Sequence, residues 1–463
     1  MMALHGSRSF AGRLTLRPSV ATAMLRSHRV DSFFLLHRSL STKSKQEPHV
    51  AILGGKTPLR ACNPALQMQG YKATVFEREK SLGSRSQGGL LDLHPKTGLQ
   101  VVKELDLTKE YTAIAHPEAE FMHITDHLEN VIYTDDPPPP VGPDHNLFDG
   151  APETDRGQLR KMLIDSLEPG TIQWNTMVQS RKQLDDGRFE LNLANGKTHP
   201  TLFEVLVGAD GASSRVRQSI SDAKPTYKGV TLIELKITDL DDDILDLVGA
   251  GTRFAMGDNL ALVCQRNPTG VINIWAMQRV EYGGAQLPRD QPEKCKEYLR
   301  NLFCNFTPRL RRLIDKADDK LSFATYPHLT FTSDTMPKAC TDDGRIVLIG
   351  DAAHTLFFGS GANSAFVDGL KLAKVLASVF QAQAESKAEP SLATAVKEFA
   401  EQMQNTAKLK ADNNPFGQDL FVQDGAAQLL ANIMTGFRQP EQAQEKAATG
   451  NTWKNLTGPA ATA

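Results

Sequence analysis

Apolar residues follow three rhythms along this chain. HVAIL from His49, KATVF from Lys72 to Phe76, Leu202 to Val207 and Ile346 to Ile349 are short apolar runs, the pattern of strands buried on both faces of a parallel sheet. Each ends on a glycine, an acid or both: Gly54, Glu77, Gly208 with Asp210, and Gly350 with Asp351. Between about Tyr227 and Met336 alternation takes over, in TLIELKI, ALVCQR and, after the turn Asn267-Pro268-Thr269-Gly270, VINIWAMQRV. These read as half-buried antiparallel strands. Arg188 to Leu193 reads as a further strand. The helical period appears in Asp155 to Leu167, with Asp155 as candidate N-cap, in Glu293 to Phe303, in Arg309 to Ala317, from Gly361 through Leu372, in Leu392 to Lys410 and in Gly425 to Met434.

That order predicts an α/β protein: a Rossmann-like nucleotide-binding domain split by an inserted antiparallel-sheet domain, followed by C-terminal helices. The expected boundaries are 1–47 for a leader, 48–226 and 337–388 for the two parts of the nucleotide-binding domain, and 227–336 for the inserted substrate domain. A C-terminal helical segment at 389–437 and a disordered Ala, Gln and Thr-rich tail at 438–463 complete the chain. Pro137 to Pro140 marks an exposed loop.

With 463 residues, 40% hydrophobic and 23% charged, the chain can bury two or three cores. A formal charge of -2 gives no pull toward nucleic acid or anionic lipid, which leaves a small molecule as the expected partner. Five cysteines without a CxxC spacing argue against a disulfide framework or a zinc site. No apolar run reaches transmembrane length. The first 46 residues hold Arg8, Arg13, Arg17, Arg26, Arg29 and Arg38 against a single acid among Asp and Glu, Asp31. Such a leader is expected to direct mitochondrial import; an overextended gene start or a disordered tail on a cytoplasmic protein is the other reading.

The densest chemistry is RIVLIGDAAHTLFFGSGANSAF, Arg345 to Phe366. An acid at a strand's carboxyl end can accept from sugar-like hydroxyls, and small residues opening the next helix expose N–H groups to anionic atoms. Glu77 lies 23 positions after Gly54, near the roughly 20-residue spacing at which an acid meets an adenosine ribose. The stretch GADGASSRVR, Gly208 to Arg217, repeats the strand-then-acid layout.

A glycine motif, a DG motif and a GD motif in that order resemble the class A FAD-dependent monooxygenases of the aromatic-hydroxylase type. QGGLLDLHPKTG (Gln87 to Gly98), PETDRGQLRKMLIDSLEPG (Pro152 to Gly170) and GDAAH with GANSAFVDG narrow the resemblance to the tetracycline-inactivating subgroup, over roughly Val50 to Lys410. The resemblance implies that Gly54 and Gly55 approach the pyrophosphate and that Glu77 and Arg78 hold the adenosine end. It further implies that Arg156 approaches the flavin, Asp210 supports the DG loop and Asp351 accepts from the ribityl or ribose hydroxyls. Gly361, Ala362 and Asn363 present backbone groups to the pyrimidine end of the ring. Arg253 matches a substrate-contacting arginine. His354 belongs to the loop scaffold, and no catalytic nucleophile is expected. Met256, Trp275 and Met277 are core or pocket wall. The implied chemistry is reduction of FAD by NADPH, addition of O₂ and transfer of one oxygen from a flavin hydroperoxide to an aromatic, phenolic or polyketide-like molecule. A monomer is expected.

Two departures stand out. After Gly54 and Gly55 the chain reads Lys56, Thr57, Pro58, Leu59, Arg60, where the family has a third glycine. Pro64 then falls in the helix that should follow, an expected cost of roughly 3 kcal/mol or more. Codons for Pro58 to Asn63 read in a shifted frame permit Pro, Ala, Gly, Leu, Gln, which points to a local frameshift or a misplaced intron boundary. In the GD region only six residues, Thr355 to Ser360, separate His354 from Gly361, about two fewer than in the subgroup. A flavin-free binding protein and a different flavin oxidoreductase are therefore the other functional expectations.

Overall fold

In the computed structural model, residues 47–54, 61–84, 88–135, 148, 150–356, 361–414 and 420–438 are described. The leader, Gly55 with the rest of 55–60, the proline-run loop, residues 357–360 of the GD loop and the tail after 438 lie outside them. Five parallel strands form the first sheet, in the order Ile346–Leu348, Val205–Gly208, His49–Leu53, Lys72–Phe76, Ile172–Gln173. Strands about 150 residues apart in sequence thus pair, Val50 lying opposite Val205 and Leu206 opposite Ile346. Their glycine and acid ends converge on one edge, the ligand-binding end of such sheets. Val50, Ala51, Ile52, Val205, Val207, Val347 and Leu348 are buried, as continuous apolar runs require.

A second sheet has seven strands, in the order Ala324–Thr330, Thr226–Ile237, Val271–Arg279, Leu260–Asn267, Thr252–Gly257, Met122–Asp126, Val131–Thr134. The last two lie far ahead of residue 227 in sequence, and Met122–Asp126 joins Thr252–Gly257 in parallel. Alternation sends Ile233, Leu235, Leu262, Cys264, Ile274 and Ala276 to a core shared with helices Asp242–Val248, Pro292–Leu302 and Pro308–Asp315. Leu232, Val263, Met277 and Met256 face the other way, against Phe421 and Val422 of the turn Leu420–Val422 and Leu430 of the C-terminal helix Ala426–Arg438.

A small sheet, Leu90–Asp92, Glu153–Asp155 and Ala115–His116, connects the two. The Leu90 N–H donates to Gln265 Oε1 at 2.7 Å, and Asn267 Nδ2 donates to Asp155 Oδ2 at 2.8 Å. Among the described residues no helix is long and apolar enough to cross a membrane, and no cluster of His, Cys, Asp or Glu could hold a metal.

The helix expected to break at Pro64 does form, as Cys62–Met68. It starts late enough that Pro64 occupies its first turn, where the missing N–H has no intrahelical acceptor to lose. The cost falls instead on Asn63, which is 0% exposed with neither Oδ1 nor Nδ2 hydrogen-bonded. Helix Gly361–Ala384 crosses close by: a Cβ on Gly369 would stand 2.9 Å from the Cys62 nitrogen.

The GD turn is latched to that long helix. Asp368 Oδ2 accepts from the Gly350 N–H at 3.0 Å and from His354 Nε2 at 2.6 Å. Burial lowers the His354 pKa, but the charge and hydrogen bond of Asp368, aided by Asp351, raise it above the usual histidine value. Stability from this pair is therefore present in full below the unfolded histidine pKa and is lost as pH rises through the folded one.

Two outcomes are expected. Asn63→Leu, nearly isosteric, removes the unpaired amide and stabilises the flavin-free chain by about 1–3 kcal/mol, read as a higher thermal midpoint. His354→Gln destabilises the chain more at pH 6 than at pH 9, read as the difference from wild type in denaturant unfolding at each pH; an equal deficit at both pH values contradicts the charged pair.

Candidate cofactor and substrate site

At the adenosine end, Gly54 has φ 100° and donates its N–H to the Phe76 carbonyl at 3.1 Å. A Cβ there would lie 2.6 Å from the Ala209 oxygen and 2.7 Å from Asp210 Cα, so only glycine lets the first strand's end meet the DG loop. Glu77 closes the second strand, buried, its Oε1 accepting from the Glu79 N–H at 3.0 Å. Its Oε2 lies 3.6 Å from Nη2 of Arg160, which is 1% exposed, 2.8 Å from Glu79 and 5.6 Å from the Trp174 ring. Arg160 was not among the expected residues. Its signal was the spacing from Arg156: four positions on helix Arg156–Asp165 put both arginines on one face. Arg78 is exposed beside Glu77.

At the DG loop, Asp210 Oδ2 accepts from the N–H groups of Arg215 at 2.7 Å and Val216 at 3.4 Å, which caps the short helix Arg215–Gln218. Its Oδ1 is buried without a partner. Arg217, also missed, is buried and donates to the carbonyls of Ala212 and Ala352. It thereby ties the DG loop to the GD turn.

At the flavin end, Asp351 lies in the turn Gly350–Ala352, with Oδ1 3.7 Å from where a Cβ on Gly361 would stand. Gly361, Ala362 and Asn363 begin the 24-residue helix, whose first amides have no acceptor within the helix. The Asn363 side chain is spent on scaffold. Oδ1 accepts from the N–H groups of His94 (2.9 Å) and Gly98 (3.1 Å) and from the Thr97 hydroxyl (3.0 Å), and Nδ2 donates to the Asp92 carbonyl (2.9 Å).

Arg156 opens its helix directly after the N-cap Asp155, whose Oδ1 accepts from Gly157 and Gln158. Burial lowers the Arg156 pKa, opposed by Glu153, Asp351, Asp92 and Asp155. Glu153 is held well above the usual carboxylate range, first by burial and then by repulsion from Asp92, with Arg156 pulling the other way. Gly88 lies along the Arg156 side chain, its added Cβ 3.7 Å from Cδ. A Cβ on Gly89 would stand 2.4 Å from Gln265 Oε1 and 2.7 Å from the Trp275 ring. The centre of the seven-stranded sheet therefore sits directly against the Arg156 loop.

Arg253 does not join this group. It pairs in register with Cys264, so both project to the far face, where Arg253 Nη1 donates to the Leu247 carbonyl at 2.6 Å and Nη2 lies 3.7 Å from Glu129. Strand parity turns this expected substrate contact away from the Trp275 face, since one residue of register exchanges the faces. Met256 and Met277 are core on the near face, and Trp275 is partly exposed there.

These residues fit FAD. The Gly54 contact leaves no room for a side chain, the buried Asp210 Oδ1 has an unfilled acceptor, and Asp351 stands at the start of a long helix, where its charge acts on Arg156. Gly55 and the rest of 55–60 lie outside the described residues. The sequence model for the FAD binding domain matches residues 50–407. "Monooxygenase penA" of Penicillium thymicola is 27% identical over 363 residues, covering 66% of this chain and 79% of its own length. "Monooxygenase asqM" of Emericella nidulans is 26% identical over 359 residues, covering 66% and 78%. Among solved structures, the tetracycline destructase Tet(51) superposes with a TM-score of 0.62 at 19% identity, over 90% of this chain and all of that one. The chain belongs to the FAD-binding-domain family, as an FAD-dependent monooxygenase of the class A, aromatic-hydroxylase type.

Proposed function

We propose that this monooxygenase uses NADPH and O₂ to hydroxylate an aromatic, phenolic or polyketide-like small molecule. The observation that carries the reading is Asp351 beside Gly361 at the start of the 24-residue helix, its charge acting on Arg156, with Trp275 against Gly89 of the loop that runs along Arg156. When bound, FAD supplies acceptance of a hydride and activation of dioxygen. The chain's own part is positioning and electrostatics. Glu77, oriented by Glu79 N–H and Arg160, meets the adenosine ribose, with Arg78 beside it. Asp210 and Gly54 border the pyrophosphate, and Asp351 accepts from the ribityl hydroxyls. Arg156 and the helix N-terminus favour negative charge on the ring's pyrimidine end. The sheet around Trp275 roofs the substrate and excludes water.

The domain division at 227 and 337, a monomeric state and mitochondrial import through the Arg-rich leader belong to the same proposal. Transport of a fluorescent fusion of residues 1–46 to mitochondria supports the last, and diffuse cytoplasmic signal opposes it.

A second reading, a flavin-free binding protein, is favoured by one observation: the unpaired, buried Asn63 beside the broken glycine motif. The absorption spectrum of the purified chain separates the two. Flavin bands, or reconstitution with FAD, are expected; a colourless chain that takes up no FAD supports the second reading. In the reconstituted protein, Arg156→Ala lowers kcat/KM for NADPH-dependent oxygen consumption by about a hundredfold, with an unchanged far-UV spectrum.

A further inference from the structure

A cation reaches the start of helix Gly361–Ala384 from the far end of its neighbour. Helix Leu392–Asp412 packs along the long helix, and its last turn brings Lys410 to the other's first turn. Lys410 Nζ donates to Ser364 Oγ at 2.6 Å, and Ser364 is buried. Ser364 lies three residues after Gly361, about 4.5 Å along the axis, so the ammonium stands within one turn of the amides that open the helix. His94, whose N–H is held by Asn363 in that same turn, senses the charge as well. Asp92 raises the His94 pKa, chiefly through their hydrogen bond, and burial and Lys410 oppose the rise.

This placement carries costs. Lys410 suits the C-terminal end of its own helix, but the first turn of the neighbour is also positive, because its amides lack acceptors within the helix. Burial pushes the Lys410 pKa down, Asp368 pulls it back up and Lys371 lowers it further. Asp368 meanwhile accepts from the Gly350 N–H and from His354. Ordering a lysine side chain costs rotamer freedom in addition. Ammonium and helix start therefore add to one positive potential, which negative charge at that turn would relieve.

Resting on the oxygenase reading of this site, we infer that Lys410 is a positioning residue that favours the reduced state of bound FAD: seated by Ser364, it adds its charge to the helix start that meets the ring's pyrimidine end. Hydride transfer from NADPH moves two electrons and one proton to FAD, oxidises the nicotinamide to NADP⁺ and leaves the ring one negative charge richer. The role needs no contact with ring or substrate. A charge acting through space shifts the equilibrium by its different interaction with the two states.

The midpoint potential of the full, FAD-reconstituted chain, measured by anaerobic dye equilibration at pH 7, tests this. Lys410→Met is expected to disfavour reduction about tenfold, a fall of ~30 mV for the two-electron couple, while oxidised FAD binds within about threefold of wild type. Lys410→Arg keeps the charge and is expected to keep the potential. Ser364→Ala frees the ammonium and is expected to give a smaller fall than Lys410→Met. If Lys410→Met does not fold, Lys410→Gln takes its place with the same expectation. An unchanged potential in the folded, flavin-bearing neutral variant overturns the inference, whether or not FAD binding weakens; so does an equal fall in Lys410→Arg. Those results leave the oxygenase reading standing, whereas a wild-type chain that takes up no FAD defeats that reading and this role together.

Discussion

The side-chain amide of Asn363 is the contact on which the flavin end of the fold depends. Its four hydrogen bonds join the first turn of helix Gly361–Ala384 to the turn between Asp92 and Gly98, some 265 residues earlier in sequence. No other side chain could replace it without loss, because the site needs one oxygen for several donors and one N–H₂ for a carbonyl. Each backbone group left unpaired there would cost roughly 1–3 kcal/mol. The spacing is tight as well: a Cβ on Gly98 would lie 2.7 Å from Asn363 Oδ1. Asp368 does the same work one and a half turns later, holding Gly350 and His354. Two polar side chains on one helix therefore fix the GD turn that carries Asp351 and the turn from Asp92 to Gly98.

Asp155 extends that frame to the roof. One of its oxygens caps the helix that begins with Arg156, and the other receives Asn267 from the seven-stranded sheet. The arginine's position and the roof's position are thus set by one carboxylate. Gly89 completes the junction, since any side chain there would collide with Gln265 and Trp275. The C-terminal helix closes the same face by burying Leu430, Ala431 and Ile433 against the sheet.

Much of this was legible in the sequence. The strand at His49–Leu53, the Lys72–Phe76 strand, the Asp155 cap and the interrupted α/β order follow from apolar rhythm and capping chemistry, which are local. What was not legible depends on long-range register. Met122–Asp126 and Val131–Thr134 are short strands with mixed composition, recruited by an edge more than a hundred residues away. Arg253 was expected at the pocket from resemblance alone, and its face is fixed by pairing with Cys264. The partners of Asn363 cannot be read from GANSAF, because they are backbone groups of another segment.

The two ends of the cofactor site stand on different footings. At the flavin end every polar atom of the Asn363 amide is paired. At the pyrophosphate end helix Cys62–Met68 has no side-chain cap at Ala61 and buries an amide with no partner. A fold under pressure to hold a diphosphate would not be expected to place an unpaired Asn63 behind it, because its cost opposes folding whether or not ligand binds. Gly369 lets the long helix approach Cys62 closely. The altered first segment and the loops paired by Asn363 and Asp368 thus lie at opposite ends of the expected cofactor site. Affinity for the nucleotide half of FAD and competence of the flavin half are therefore separable properties of this chain, and the first is where the sequence and the structure both place the strain.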